Sequence, residues 1–136
     1  MIKSHDVITM KLPFPNISSG LAVKAHMYIC ENVVGNDYCF IKCQSFKNRF
    51  YQLNHYLVEE PNSSRNPFVR TSLIDCDKRF NIKHVLISED ILTKSRRDVS
   101  AQLFQEIKSE IDDEECVDNE IDRIELNKLN GKIKLI

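Results

Sequence analysis

Two alternating segments, split by a proline-bounded loop, constrain this chain more than any other feature. Over Asp6 to Leu12, Val7, Thr9 and Lys11 alternate with Ile8, Met10 and Leu12, the period of a half-buried strand. Pro13 and Pro15 end that strand, because proline has no N–H to give to a ladder. Asn16, Ser18, Ser19 and Gly20 supply turn chemistry through residues 13–24. The loop ends at Lys24, and a second strand, Ala25 to Cys30, begins at once. Ala25, Met27 and Ile29 fall on one face of it, Lys24, His26 and Tyr28 on the other. A loop with a cation at its exit, hung between two strands, is a place to hold a phosphate.

The next segments keep the strand period. Glu31 to Asn36 reads as a turn, with Gly35-Asn36 as the hairpin tip. Asp37 to Ser45 reads as a third strand, and Phe68 to Asp75 and Ile82 to Ile87 as further ones. Residues 46–67 fit a strand or a short helix, followed by a loop. Helical spacing appears once, as the stripe Val99, Leu103, Phe104, Ile107 and Ile111. Ser95-Arg96-Arg97-Asp98 before it fits a capping box in its looser Asp form, so the helix is expected to start near Ser95. Ile121, Ile124, Leu126 and Leu129 recover some periodicity, and residues 132–136 look strand-like.

With 136 residues, 42% hydrophobic and 29% charged, one packed domain is the expectation and wholesale disorder is not. No apolar run approaches a membrane span, and the first residues lack the apolar stretch of a signal peptide, so a cytoplasmic protein is expected. The five cysteines, Cys30, Cys39, Cys43, Cys76 and Cys116, read as reduced thiols. Cys39 and Cys43 would lie roughly 13 Å apart on a strand, too far for one zinc with sulfur bonds of about 2.3 Å. Neither a metal nor a cofactor is expected. Residues 1–109 carry 15 Lys and Arg against 11 Asp and Glu, a balance of +4; residues 110–136 carry 4 against 9, a balance of -5. A mildly basic body is compatible with a nucleic-acid partner.

A small sheet closed by a late helix fits a mainly β, α+β domain of the SH3-like barrel kind. It would occupy residues 1–111, with an acidic extension over 112–136. In this order the segments resemble the MazF/PemK/Kid family, metal-independent endoribonuclease toxins of toxin–antitoxin systems. His5-Asp6-Val7 stands where that family has Gly-Asp-Val. Lys24-Ala25-His26-Met27-Tyr28-Ile29-Cys30 stands where it has Arg-Pro and an apolar strand. Cys43-Gln44-Ser45 stands where it has a threonine at a strand end. Arg70 to Lys78 resembles its late strand and Ile-Asp-Lys turn, and 95–111 its closing helix. The resemblance spans residues 5 to about 111. It implies cleavage of single-stranded RNA, a homodimer and an antitoxin partner. It also implies Lys24 in the place of a catalytic arginine, Ser45 or Gln44 in that of a catalytic threonine, and Ala25 in that of the proline.

Metal-free RNA cleavage uses the neighbouring 2′-OH as nucleophile, so a site must accept that proton, stabilise the phosphorane and protonate the leaving oxygen. Lysine gives a point charge where arginine gives a fork. His26 is a candidate acid or base beside Lys24; the alternative is a structural histidine of the sheet. Phe46-Lys47-Asn48-Arg49-Phe50-Tyr51 interleaves aromatics and cations as single-stranded RNA binding does, with Lys47, Arg49, Gln44 and Phe14 as candidate contacts. Aromatics plugging the end of a barrel would read the same way. Arg96-Arg97 at a helix start hints at an acidic partner or is solvated surface. The acidic segment 110–125 masks the RNA groove in cis, docks on a symmetry mate, or is a solvated extension with a weak terminal helix. His55 and His84 carry no evident role.

Overall fold

A computed structural model describes residues 1–47 and 52–136. It is a mixed α+β structure built on a mostly antiparallel sheet. In chain order the strands and helices are β1 (Val7–Met10), α1 (Gly20–Val23), β2 (His26–Val34), β3 (Asp37–Ser45), β4 (Tyr56–Glu59), β5 (Ser72–Asp75), β6 (Lys78–Ile82), β7 (Val85–Ile87), α2 (Ala101–Glu110), β8 (Val117–Glu120), α3 (Arg123–Leu129) and β9 (Ile133–Leu135). The main path runs β1-β2-β3-β5-β4 and does not close into a ring.

β3 organises the sheet. Its first half, Tyr38–Phe40, pairs with β6, and its second half, Cys43–Ser45, pairs with β5. β6 in turn carries β8 in parallel, and β7 forms a separate two-stranded ribbon with β9. β3 has the bounds that alternation predicts, and Gly35 at φ 61 makes the hairpin tip, a conformation glycine adopts without strain. The expected turn at Glu31 to Asn36 is mostly strand: β2 continues to Val34 across a bulge at Glu31, the residue between Cys30 and Asn32 that has no partner on β3.

Alternation predicts one buried face; here both are covered. On one side Val7, Ile29, Ile41, Cys43 and Ile74 pack with Val99, Leu103 and Ile107 of the α2 region. On the other, Ile8, Met10, Tyr28, Phe40 and Phe80 pack with Val85, Leu126 and Ile133. Tyr28 and Ile29, adjacent in sequence, are therefore both fully buried.

The helix starts later than expected. α2 begins at Ala101, and Ser100 caps it by accepting from the Leu103 N–H. The Ser95–Asp98 segment is non-helical instead, bending at Ser95 and Arg97: Val7 N–H donates to the Arg97 carbonyl, Val99 N–H to the His5 carbonyl, and Asp98 forms a β-bridge with Asp6. Arg97 grips buried Asp6 with Nε and Nη2, and Arg96 pairs with Asp98. Both arginines thus have partners within the chain. The Ile82 to Ile87 strand divides into the end of β6 and β7, with His84 between them at φ 57.

Residues 112–136, expected as an acidic extension, contribute side chains to the core of the body. Ile121, Leu126 and Ile133 are buried in the same cluster as Ile8 and Phe40. Asp122 caps α3 by accepting from Ile124 and Glu125. Among the described residues no helix is long and apolar enough to cross a membrane.

Candidate functional site

The loop between β1 and β2 is braced by hydrogen bonds within itself. Leu12 N–H donates to the Leu21 carbonyl at 2.8 Å, the Ser19 hydroxyl to the Phe14 carbonyl at 2.5 Å, and Lys24 N–H to the Gly20 carbonyl at 3.1 Å. The chain therefore makes one helical turn before entering β2, and Lys24 is the residue on which it exits. The β2–β3 register pairs Met27 with Cys43. Continued by one and two positions, it sets His26 beside Gln44 and Ala25 beside Ser45.

That register explains the cleft at this end of the sheet. Lys24, Ala25, His26, Gln44, Ser45 and Lys47 line one concavity of about 320 Å³. A second, mostly apolar hollow of about 480 Å³ adjoins it and shares Lys24 and His26; Phe14, Pro15, Leu21 and Val23 form its walls. Five of the residues singled out from sequence thus meet in one cleft, and Phe14 lies in the neighbouring one. Arg49 falls outside the described residues. Leu21 and Val23 were not anticipated; a four-residue helix leaves almost no periodic signal in a sequence.

The electrostatics are one-sided. No Asp or Glu is among the described residues lining either hollow, in a chain with 20 acidic residues. An anion entering here meets Lys24 and Lys47, and no carboxylate is among the described lining residues.

His26 has a defined polarity. Its Nδ1 lies 3.0 Å from the Lys24 carbonyl oxygen. A carbonyl only accepts, so Nδ1 carries the hydrogen and Nε2 is the nitrogen that can take up or release a proton. Deeper in the same strand the Tyr28 hydroxyl is buried and finds no hydrogen-bond partner among the described residues. Burial pushes this phenol well above its usual range, and the nearby Cys43 adds to the effect. It therefore stays neutral and belongs to the core, edge-on to Phe80.

The acidic segment lies elsewhere. Asp113 is engaged by Arg79 and Glu115 by His55, and no residue of 110–125 lines either hollow. Among the described residues this segment does not line the cleft of its own chain. Compared with protein-family models, curated proteins and solved structures, the chain matches none.

Proposed function

We propose that the protein is a metal-independent endoribonuclease acting on single-stranded RNA, with its site in the cleft at the β1–β2 loop. The observation that carries this reading is the convergence of Lys24, His26, Gln44, Ser45 and Lys47 on one concavity. The 2′-OH proton passes to His26 Nε2 as the 2′ oxygen attacks phosphorus. Lys24 and Lys47 balance the charge that develops on the phosphorane, and the Ser45 hydroxyl donates to a non-bridging oxygen. The 5′ oxygen departs with a proton from the Lys24 ammonium, leaving a 2′,3′-cyclic phosphate. The resemblance to MazF/PemK/Kid toxins supports the same reading, and with it an SH3-like barrel, a cytoplasmic homodimer and an antitoxin that covers the cleft.

A second reading keeps the cleft and drops the chemistry: an RNA- or protein-binding module on a disarmed toxin barrel. Lys24 favours it, because an exposed ammonium lacks the bidentate grip of a guanidinium on two phosphate oxygens. One assay separates the two. A long single-stranded RNA is incubated with the protein in EDTA. Discrete cuts that vanish in Lys24→Ala support the nuclease. Retention of RNA on a filter without any cut supports the binding module.

A further inference from the structure

A second polar cluster lies away from that cleft, where the chain approaching β4 meets the end of α2. His55 is held by its backbone: its N–H donates to Asp77 Oδ1 at 3.1 Å, and its carbonyl accepts from Cys76 N–H at 3.0 Å. Each ring nitrogen faces a carboxylate. Nδ1 is 3.7 Å from Glu110 Oε1, and Nε2 is 3.4 Å from Glu115 Oε1. Asp112 joins them, so that ligand atoms of His55, Asp112 and Glu115 all lie within 4.8 Å of one another. A tight turn fixes the spacing of the last two, with Cys116 N–H on the Asp112 carbonyl at 2.8 Å.

This arrangement favours a cation. Against the single positive charge that an imidazole can carry stand the carboxylates of Glu110, Asp112 and Glu115, so the cluster keeps an excess of negative charge. The acidic groups also gather at the C-terminal end of α2, where the helix dipole is already negative. The neighbouring cation Arg79 is taken up by Glu31 and Asp113. Ligands about 2.1 Å from a tetrahedral ion sit about 3.4 Å apart, which is the spacing of Nε2 and Glu115 Oε1. A carboxylate oxygen of Asp112 lies within 4.8 Å of ligand atoms of both His55 and Glu115. One imidazole with two carboxylates suits a borderline divalent metal over magnesium or calcium, which take oxygen ligands.

We propose that His55, Asp112 and Glu115 form a divalent transition-metal site of the zinc type, with Glu110 beside it. The site ties the residue before β4 to the turn between α2 and β8. It is independent of the RNA cleft and serves to hold the last quarter of the chain against the body, stabilising the fold by mass action.

The test is calorimetric titration of the full chain with zinc chloride at neutral pH, with the melting temperature followed in parallel. One saturable site and a raised melting temperature are expected, unchanged by millimolar magnesium. His55→Ala and Glu115→Gln, checked for folding by circular dichroism, should each weaken binding about tenfold or more, as loss of even a supporting group at a metal site does. Cys116→Ser should leave it intact. Manganese added to the wild-type protein should broaden the amide resonances of residues 55 and 110–115 first, a reading that needs no variant. The proposal is overturned by the absence of saturable binding, by binding that survives both substitutions, by binding that follows the cysteine instead, or by broadening elsewhere.

Discussion

Arg79 meets Glu31 with both prongs of its guanidinium, Nε on Oε1 at 2.7 Å and Nη2 on Oε2 at 3.0 Å. Glu31 is the bulge residue of β2, Arg79 lies on β6, and Lys108 of α2 adds a second cation to the same carboxylate. The Glu31 side chain is only 4% exposed. One buried carboxylate thus ties the central hairpin to a neighbouring strand and to the covering helix. Glu31→Ala leaves Arg79 half-buried with Asp113 as its remaining partner, and should cost about 3 kcal/mol, the low end for breaking a buried pair. Urea denaturation measures it. A loss below about 1 kcal/mol, the scale of a surface pair, would show that the bulge is not held by this contact.

The same carboxylate makes stability depend on pH. Burial alone would raise the Glu31 carboxyl, but hydrogen bonds from Arg79 and Lys108 outweigh it and hold the group below the usual range. The unfolded chain then binds a proton that the folded one refuses. The contribution is therefore present above the unfolded value of about 4.3 and is lost as pH falls through the lower folded value. Melting temperatures between neutrality and strong acid should fall less steeply below that point for Glu31→Gln than for the wild type. Parallel curves would assign the acid sensitivity to other carboxylates.

Substitutions in the cleft should separate its members by role. Lys24→Ala should lower RNA cleavage about 100-fold or more, the scale of losing one preorganised charge donor. His26→Gln keeps the size of the side chain and removes the proton acceptor, with an expected loss of about 100-fold. Ser45→Ala removes one neutral donor and should cost about tenfold. Cut-site mapping on a labelled transcript reads all three. Equal cleavage by all three variants would move the chemistry out of this cleft.

What the sequence showed of this site follows from local geometry. Lys24, His26, Gln44 and Ser45 sit near one end of a single hairpin, so two strands and one turn bring them together. His55 had no visible company because Glu110, Asp112 and Glu115 lie more than fifty positions along the chain. The helical stripe from Val99 to Ile111 was legible, since every member packs in or against one cluster. Its start was not, because Ser95-Arg96-Arg97-Asp98 has the spacing of a cap while its arginines are used to hold Asp98 and Asp6. The true cap, Ser100, has Leu103 three residues on and lacks the reciprocal acid. Parallel pairing of β8 with β6 joins segments far apart in sequence and leaves no turn signal between them.

The acidic composition of residues 112–136 hides a sparse set of anchors. Leu126 is fully buried against the same cluster as Met10 and Phe80, whereas Ile124, two residues earlier on α3, is 51% exposed. Leu126→Ala should cost about 3 kcal/mol, the range for emptying a buried leucine site. Ile124→Ala should stay within about 0.5 kcal/mol, as exposed positions do. Removal of residues 112–136 takes away Ile121, Leu126 and Ile133 together, so the shortened chain should lose its cooperative thermal transition. A separable solvated extension predicts the opposite pattern, equal small effects for the two substitutions and an unchanged melt on removal. Circular dichroism of the three variants decides between them.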